Sequence, residues 1–394
     1  MEVLFIAPRI PFPLRQGDRI ICHHRLQSLS KKYAITLVTF YDSPAELENI
    51  KAISGFCAEV HAIYLPKWRS LLNCVECLFT HRTPFQVAYY KSKQFQAKLD
   101  ELNSTHSFDL AHYFLLRVAD YHIPENIPKV IDLIDSMQLN FSSRIAIETN
   151  IIKKLLLKAE LNRITDYEIN LINKFNKSML VSQRDADFIS TDSPKIEVVP
   201  VGVDTNIFTP SLTDRRSIVR IIFSGRMGYS PNVYAVLWFV KNCWDTIHRA
   251  FPNTIFVVAG ADPTKEIINL NSRNIEIAGY VDSMTDTLAQ ADIAVVPMQS
   301  GSGMQNKILE AMACGVPVVT TSFGLGTIKA INGESVLVAD TVDEFIAAVS
   351  SLIKDEAKRT QIGRNGRSLV EAEHSWLSAS TKLESIYQSV IIDR

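Results

Sequence analysis

The stretch Ile293-Ala-Val-Val-Pro-Met-Gln-Ser-Gly-Ser-Gly-Met-Gln-Asn-Lys-Ile-Leu-Glu-Ala-Met-Ala-Cys-Gly-Val-Pro-Val-Val-Thr320 decides how the chain folds. Ile293–Pro297 is a short apolar, β-branched run, as a buried strand requires. The loop Met298–Gly303 leads into a helical run, Gly303–Ala313, that stops at Gly315. Val316–Thr320 is the next strand. Strand, glycine loop, helix and strand form the repeating unit of a parallel α/β sheet. Gly301 and Gly303 have no side chains to hold a ligand off the backbone. The helix start offers unpaired N–H groups and partial positive charge, which suit a diphosphate. Lys307 adds a full charge one turn in, and Glu310 lies on the same face. A carboxylate repels phosphate, so Glu310 suits a pair of ribose hydroxyls instead. The plainer reading is a strand-to-helix turn with a Lys307–Glu310 surface ion pair.

The alternation continues outward from this stretch. Upstream lie strands at Ile221–Ser224, Thr254–Ala259 and Ile275–Ala278, with helices at Val233–Phe251 and Met284–Gln290. Downstream lie a strand at Glu334–Val338, a largely helical Val342–Glu371 and a last helix at Ser375–Val390. The first half repeats the pattern. Its strands are Val3–Ala7, Ala34–Phe40, Val60–Leu65, Leu110–Phe114, Val130–Ile134, Lys177–Val181 and Ile196–Val199. Asp18 caps its first helix, and further helices are expected at Ile145–Tyr167 and Ile169–Phe175. The 394 residues exceed one ordinary core. Three parts are expected: a domain over 1–200, a second over 201–374 and a helix over 375–394 that packs back on the first. The linker, about 201–217, holds Gly202, Asp204, Asn206 and Pro210, which favour turns. Ligands of open α/β sheets bind at the carboxyl ends of strands, and a cleft between two such domains suits a small molecule.

Composition narrows the function. The chain is 47% apolar and 21% charged with a formal net charge of -1, unlike a dedicated nucleic-acid binder. The start, Met1–Pro13, lacks the basic leader of a secretion signal. No apolar run reaches the roughly 18–20 residues of a membrane span. A cytoplasmic protein is expected, its six cysteines reduced thiols.

Ser302-Gly-Met-Gln-Asn-Lys-Ile-Leu-Glu-Ala-Met-Ala-Cys-Gly-Val-Pro-Val-Val319 resembles the donor-site signature of glycosyltransferase family 4. Ser224-Gly-Arg226, Val199–Phe208, Ala278–Val281 and Ala291–Pro297 fall in that family's order, as does Val181-Ser182 before a helix. The opening Ala7–Arg19 resembles a bacterial branch associated with exopolysaccharide assembly. The resemblance implies the GT-B fold: two tandem doubly wound, Rossmann-like α/β domains facing across a cleft. It implies a retaining transfer of sugar from a nucleotide-diphosphate donor, with UDP as the default nucleotide. The acceptor would be a glycan or a lipid-linked molecule. The sequence departs from the family at two places. Ser302 stands where the first of two glutamates is usual, Glu310 being the second. The lysine that usually follows the Gly-Arg pair is missing, with Pro231-Asn232 near that place.

The resemblance gives the residues their roles. Gly225, Arg226 and Lys307 would hold the diphosphate, with Gly17, Gly301, Ser302, Gly303 and Met304 around it. Tyr280 and Val281 would place backbone against the base, or simply pack as strand. Arg226 and Lys307 would also stabilise charge on the leaving diphosphate, so no metal or cofactor is required. No Asp-x-Asp triplet of the kind that metal-dependent sugar transferases use is expected. Asp135, where the family often has a His-Asp pair, would orient the acceptor hydroxyl; it also reads as a helix cap with Ser136 as rival. His112 reads either as a cleft residue or as a structural histidine.

Other features fit less directly. Cys74-x-x-Cys77 with Cys57, His61 and His81 lacks the second ligand pair of a zinc site and reads as thiols on an apolar helix. Leu65–Leu72 and Ile151–Leu161 mix cations with apolar residues. They read either as ordinary helix faces or as peripheral contacts with the inner membrane. Two other functions share this sequence pattern: a nucleotide-sugar 2-epimerase and a non-catalytic nucleotide-sugar binder. A dinucleotide enzyme fits poorly, because no G-x-G-x-x-G follows the first strand.

Overall fold

The computed structural model describes residues 1–394 except 15, 79–82, 149, 191–192, 211–217, 301–303 and 393–394. The chain divides into two compact units, Met1–Pro200 with Ala379–Arg394, and Val201–Ser378.

The first unit is built on seven strands: β1 (Glu2–Ala7), β2 (Ala34–Tyr41), β3 (Glu59–Tyr64), β4 (Leu110–Phe114), β5 (Lys129–Ile134), β6 (Lys177–Leu180) and β7 (Ile196–Val198). They pair in parallel in the order β3-β2-β1-β4-β5-β6-β7. The strands read as unbroken apolar runs because a parallel sheet is covered on both faces. All five residues of β4 are buried. The direction of winding reverses between β1 and β4, which makes their carboxyl ends the natural ligand crevice.

The second unit carries β8 (Val219–Ser224), β9 (Thr254–Ala259), β10 (Ile275–Gly279), β11 (Ile293–Val296), β12 (Val318–Thr320) and β13 (Leu337–Val338). Their order is β10-β9-β8-β11-β12-β13, again parallel, and the reversal lies between β8 and β11. One apolar core fills this unit, from Ile221 and Phe223 through Trp244 to Phe345 and Val370.

Helix boundaries depart from expectation where a polar cap interrupts an apolar pattern. Instead of Ile145–Tyr167 and Ile169–Phe175, the helices are Met137–Ile147 and Ile151–Lys174. Ser136 caps the first and Asn150 the second, each side chain accepting from a backbone N–H. The run Val342–Glu371 splits into Val342–Lys354 and Glu356–Glu373, because Asp355 accepts from Lys358 N and starts a new helix. The expected Val233–Phe251 helix starts at Ser230 and contains a π turn at Val240–Trp244.

The second unit closes on itself where its two ends meet. Val203 N donates to His374 O at 2.7 Å, and Gly202 packs against Trp376 so closely that a Cβ would lie 2.5 Å from Trp376 N. The final helix, Trp376–Ile392, passes into the first unit from Ala379 onward. There Tyr387 is fully buried and Ser380 bonds Ser28. Among the described residues no helix is long and apolar enough to cross a membrane.

Candidate functional site

Glycines end the strands at one edge of the second sheet. Gly225, Gly260 and Gly279 follow or close β8, β9 and β10 with φ of +146°, +150° and +64°. Such angles are open to glycine and strained for other residues. A Cβ on Gly260 would lie 1.8 Å from Gly225 O, so these two strand ends touch backbone to backbone. Gly225 also leaves room for two side chains. A Cβ there would meet Asn232 Nδ2 at 2.9 Å and Lys307 Cε at 3.1 Å.

Lys307 reaches this point from the helix Asn306–Ala313, whose apolar side buries Ile308, Leu309, Ala311 and Met312. Its Nζ donates to Gln305 Oε1 at 2.8 Å and lies 5.6 Å from the centre of the Phe223 ring. Burial pushes the Lys307 ammonium down to about 8, and Glu310 partly opposes that fall. Burial also pushes the Glu310 carboxyl up, against the pull of Lys307. Among the described residues Glu310 has no ion-pair partner, so the surface-pair reading of Lys307 and Glu310 does not hold. Both are half-buried, and Lys307 turns to Gln305 and the Phe223 ring.

Arg226 is exposed and its Nε donates to Asp262 Oδ2 at 2.7 Å. Exposed pairs of this kind contribute little stability, so an anion can compete for the guanidinium. Behind it, Asn232 is buried and its Nδ2 donates to Arg226 O at 2.8 Å. Its Oδ1 has no partner among the described residues. Tyr280 is exposed just beyond β10, while Val281 and Met304 pack half-buried against the core. Gly301, Ser302 and Gly303 lie outside the described residues. Asp262 and Gln305 were not legible as site residues, and Asn232 was legible only as standing near the missing lysine. The signal for Asn232 was its place after Pro231 in the first turn of a helix; Asp262 gave none, being 36 residues from its partner.

In the first unit Asp135 follows Ile134, a β-branched residue held at φ 67°. That is a genuine backbone outlier, of the sort found where a side chain must be aimed. Asp132 helps hold it, accepting from Ile134 N at 3.3 Å while pairing with the buried Arg25 at 3.2 Å. Asp135 is half-buried and has no side-chain hydrogen bond among the described residues. Burial first, then the charges of Asp185 and Asp132, push its carboxyl up to about 6. The cap of the following helix is Ser136, which accepts from Leu139 N at 3.2 Å. Glu168, from a distant helix, accepts from Met137 N at 2.7 Å and is pushed up to about 7 by burial.

His112 is not a cleft residue. It is fully buried in β4, stacks on Phe5 with ring centres 4.3 Å apart, and its Nδ1 bonds Tyr387 OH at 2.7 Å. Burial and the nearby Arg25 hold it neutral, with its pKa well below the ordinary value. The candidate role fails because the strand end lies two residues further on. Gly17 opens the helix Gly17–Leu29 with open space around it, so nothing among the described residues requires a glycine there.

The chain does carry one Asp-x-Asp triplet, Asp185-Ala-Asp187. Asp185 accepts from Ser136 N at 3.0 Å and from the Ser182 hydroxyl, and Asp187 accepts from Gln183 Nε2 at 2.7 Å. Asp185 thus ties its helix to the start of the helix after β5, and Asp187 serves a contact within its own helix. Cys74 and Cys77 donate to the carbonyls of Phe85 and Thr83.

Two further features of the first unit escaped the sequence. Arg9 pairs with Asp18, which also meets Arg117 at 3.7 Å, beside the β1–β4 reversal. Next to them lies a cleft of about 590 Å³ whose lining includes Asn73, Tyr90, Lys91, Lys93, Arg117 and His122.

Residues 218–355 match the family model described as Glycosyl transferases group 1. The GDP-mannose-dependent monoacylated alpha-(1-6)-phosphatidylinositol monomannoside mannosyltransferase of Corynebacterium glutamicum is 28% identical over 221 residues, covering 50% of this chain and 57% of that protein. An uncharacterized 44.6 kDa protein in the cps region of Klebsiella pneumoniae is 19% identical over 391 residues, covering 95% of this chain and 96% of that protein. Among solved structures, Anabaena HepE in complex with UDP has a TM-score of 0.70 at 13% identity, covering 99% of this chain and all of that one. That likeness establishes the GT-B fold. The chain spans about half the length of the phosphatidylinositol monomannoside mannosyltransferases it matches.

Proposed function

We propose that the chain, whose residues 218–355 match the group 1 glycosyl transferase model, moves a sugar from a nucleotide-diphosphate donor to a glycan or lipid-linked acceptor. The observation that carries this reading is the approach of Lys307 over Gly225 at the β8–β11 reversal. A half-buried cation set above a bare backbone at a strand end is what a diphosphate needs. Arg226 supplies a second charge from the solvent side once it leaves Asp262. Glu310, three residues beyond Lys307 and without an ion-pair partner among the described residues, accepts from the ribose hydroxyls. Tyr280 and Val281 place backbone against the base. Gly301, Ser302, Gly303 and Met304 complete the donor loop in this reading.

The transfer is assigned retention of anomeric configuration and no metal, since the two cations can balance the leaving diphosphate. Asp135 is assigned to the acceptor hydroxyl. Its raised pKa suits a group that takes or shares a proton near neutral pH. UDP is the favoured nucleotide, supported by the UDP complex of HepE. GDP-mannose is the second reading, supported by the mannosyltransferase relatives. The role assigned is surface or exopolysaccharide assembly, in keeping with the relative found in a cps region.

The test is nucleotide release from UDP-glucose, UDP-N-acetylglucosamine and GDP-mannose, with and without glycan acceptors and in the presence of a chelator. Acceptor-dependent release that survives chelation supports the proposal. A new epimer formed without acceptor would make the chain an isomerase, and donor binding with no turnover would make it a binder.

A further inference from the structure

The helix Lys67–Leu78 is packed inside out. Ser70, Asn73 and Cys77 are buried, while Trp68, Leu71, Leu72, Val75 and Leu78 are exposed. The exposed residues recur every three or four positions and form one stripe. A helix that covers a core turns such a stripe inward; this one turns it to solvent, with Trp68 at 63% and Leu71 at 61% exposure. The first two turns of Ile151–Lys174 do the same. Ile151, Ile152, Leu155 and Leu156 are between 61% and 75% exposed.

The two helices meet through Phe85. Cys74 Sγ, on the first helix, donates to Phe85 O at 3.7 Å, and Phe85 N donates to Glu160 Oε1, on the second, at 2.7 Å. Nine large apolar side chains thus crowd one flank of the first unit, where monomeric proteins scatter theirs singly. Charge sets the partner. Lys67, Arg69, Lys153, Lys154 and Lys158 stand among these residues against one exposed carboxylate on the same stretches, Glu76. Lys67 and Arg69 meet Asp42 and Glu76 at 3.3 and 3.6 Å. Lys153, Lys154 and Lys158 have no carboxylate partner among the described residues.

We propose that this flank docks on an anionic membrane surface, its apolar stripes entering the interface and its lysines meeting lipid phosphates. Lipid satisfies both halves of the pattern: acyl chains take the leucines, and negative headgroups take the cations. A second copy of the chain would take the leucines but would set lysine against lysine. The inner face of the Lys67–Leu78 helix, through Asn73 and Cys77, lines the cleft of about 590 Å³. Docking therefore brings that cleft beside the bilayer, where a lipid-carried acceptor is presented. This last consequence rests on the transferase reading; the docking itself does not.

The test is cosedimentation of the full chain with phosphatidylcholine vesicles, with and without one third phosphatidylglycerol. The expected result is binding at least about tenfold tighter to the anionic vesicles, weakening with salt. Trp68 is exposed, whereas Trp238, Trp244 and Trp376 are buried or half-buried. Tryptophan fluorescence should shift to the blue on binding, and Trp68→Phe should abolish the shift. Leu71→Ser with Leu155→Ser, and separately Lys153→Glu with Lys158→Glu, should each reduce vesicle binding about tenfold or more while melting temperature and donor binding stay as in the parent. No sedimentation with anionic vesicles overturns the proposal, as does binding that both double variants leave intact. A dimer that Leu71→Ser with Leu155→Ser splits, with no vesicle binding, overturns it too and assigns the flank to contact between copies.

Discussion

Lys307 crosses the end of β8 at a place that only glycine leaves open: its Cε would lie 3.1 Å from a Cβ on Gly225. The two residues are 82 apart in sequence, and each explains the other. Gly225 gives up its side chain, and Lys307 gives up part of its hydration, since burial lowers its pKa to about 8. A cation desolvated in this way gains most from an anion delivered to it.

Gly225→Ala should therefore harm both fold and donor site. The new Cβ meets Asn232 and Lys307, and alanine at φ +146° is strained. Strain of this kind costs roughly 1–3 kcal/mol, which lowers the melting temperature of a unit this size by several degrees. Scanning calorimetry with and without donor measures both effects, and an unchanged melting curve with full donor affinity would remove Gly225 from the account.

The pH dependence of donor binding follows from Lys307. Its ammonium is the form that attracts diphosphate. As pH rises through about 8 the charge is lost in the free chain, so affinity should fall on the alkaline side. Lys307→Arg keeps the charge and should flatten the profile. Titration calorimetry from neutral to alkaline pH gives the comparison, and a flat profile in the parent chain would show that Lys307 does not meet the phosphates.

Glu310→Ala should weaken donor binding about tenfold or more, the scale of a hydrogen bond to a charged group. It should also move the alkaline midpoint lower, because Glu310 supports the Lys307 charge. A 2′,3′-dideoxy donor should bind parent and variant alike if Glu310 holds the ribose. A variant that still favours the natural donor contradicts that role.

Asp135→Asn should slow transfer by about a hundredfold or more while leaving donor affinity unchanged. In the parent, transfer should fall as pH drops below about 6, where the carboxyl takes up a proton. Ser136 caps the helix in either case, so the variant should keep its melting temperature. Parent-like rates at neutral pH would return Asp135 to a structural role.

The strands were legible because each is a short apolar run closed by glycine, proline or a polar residue, as Thr254–Ala259 before Gly260 shows. The helix ends were less so. Ser136, Asn150 and Asp355 are ordinary capping residues, but the apolar pattern runs across them and hid the breaks. Within the site, Lys307 and Glu310 were legible from one local stretch. Asp262 pairs with Arg226 from another segment, 36 residues on, and pairing of that kind leaves no local trace. His112 shows the same limit from the other side. Its position near a strand end suggested access, while the residue that buries it, Tyr387, lies 275 positions away. The outward stripe at Trp68–Leu78 has the spacing of a core helix, and only the burial of Ser70 and Asn73 reveals its direction.

The most direct test of the donor site is calorimetric titration of UDP-glucose and GDP-mannose into the parent chain and into Lys307→Ala at neutral pH. The account predicts that the parent binds at least one of them and that Lys307→Ala binds the same donor at least about tenfold more weakly, with the fold intact. Equal affinity in the two chains, or no binding of either donor by the parent, would contradict it.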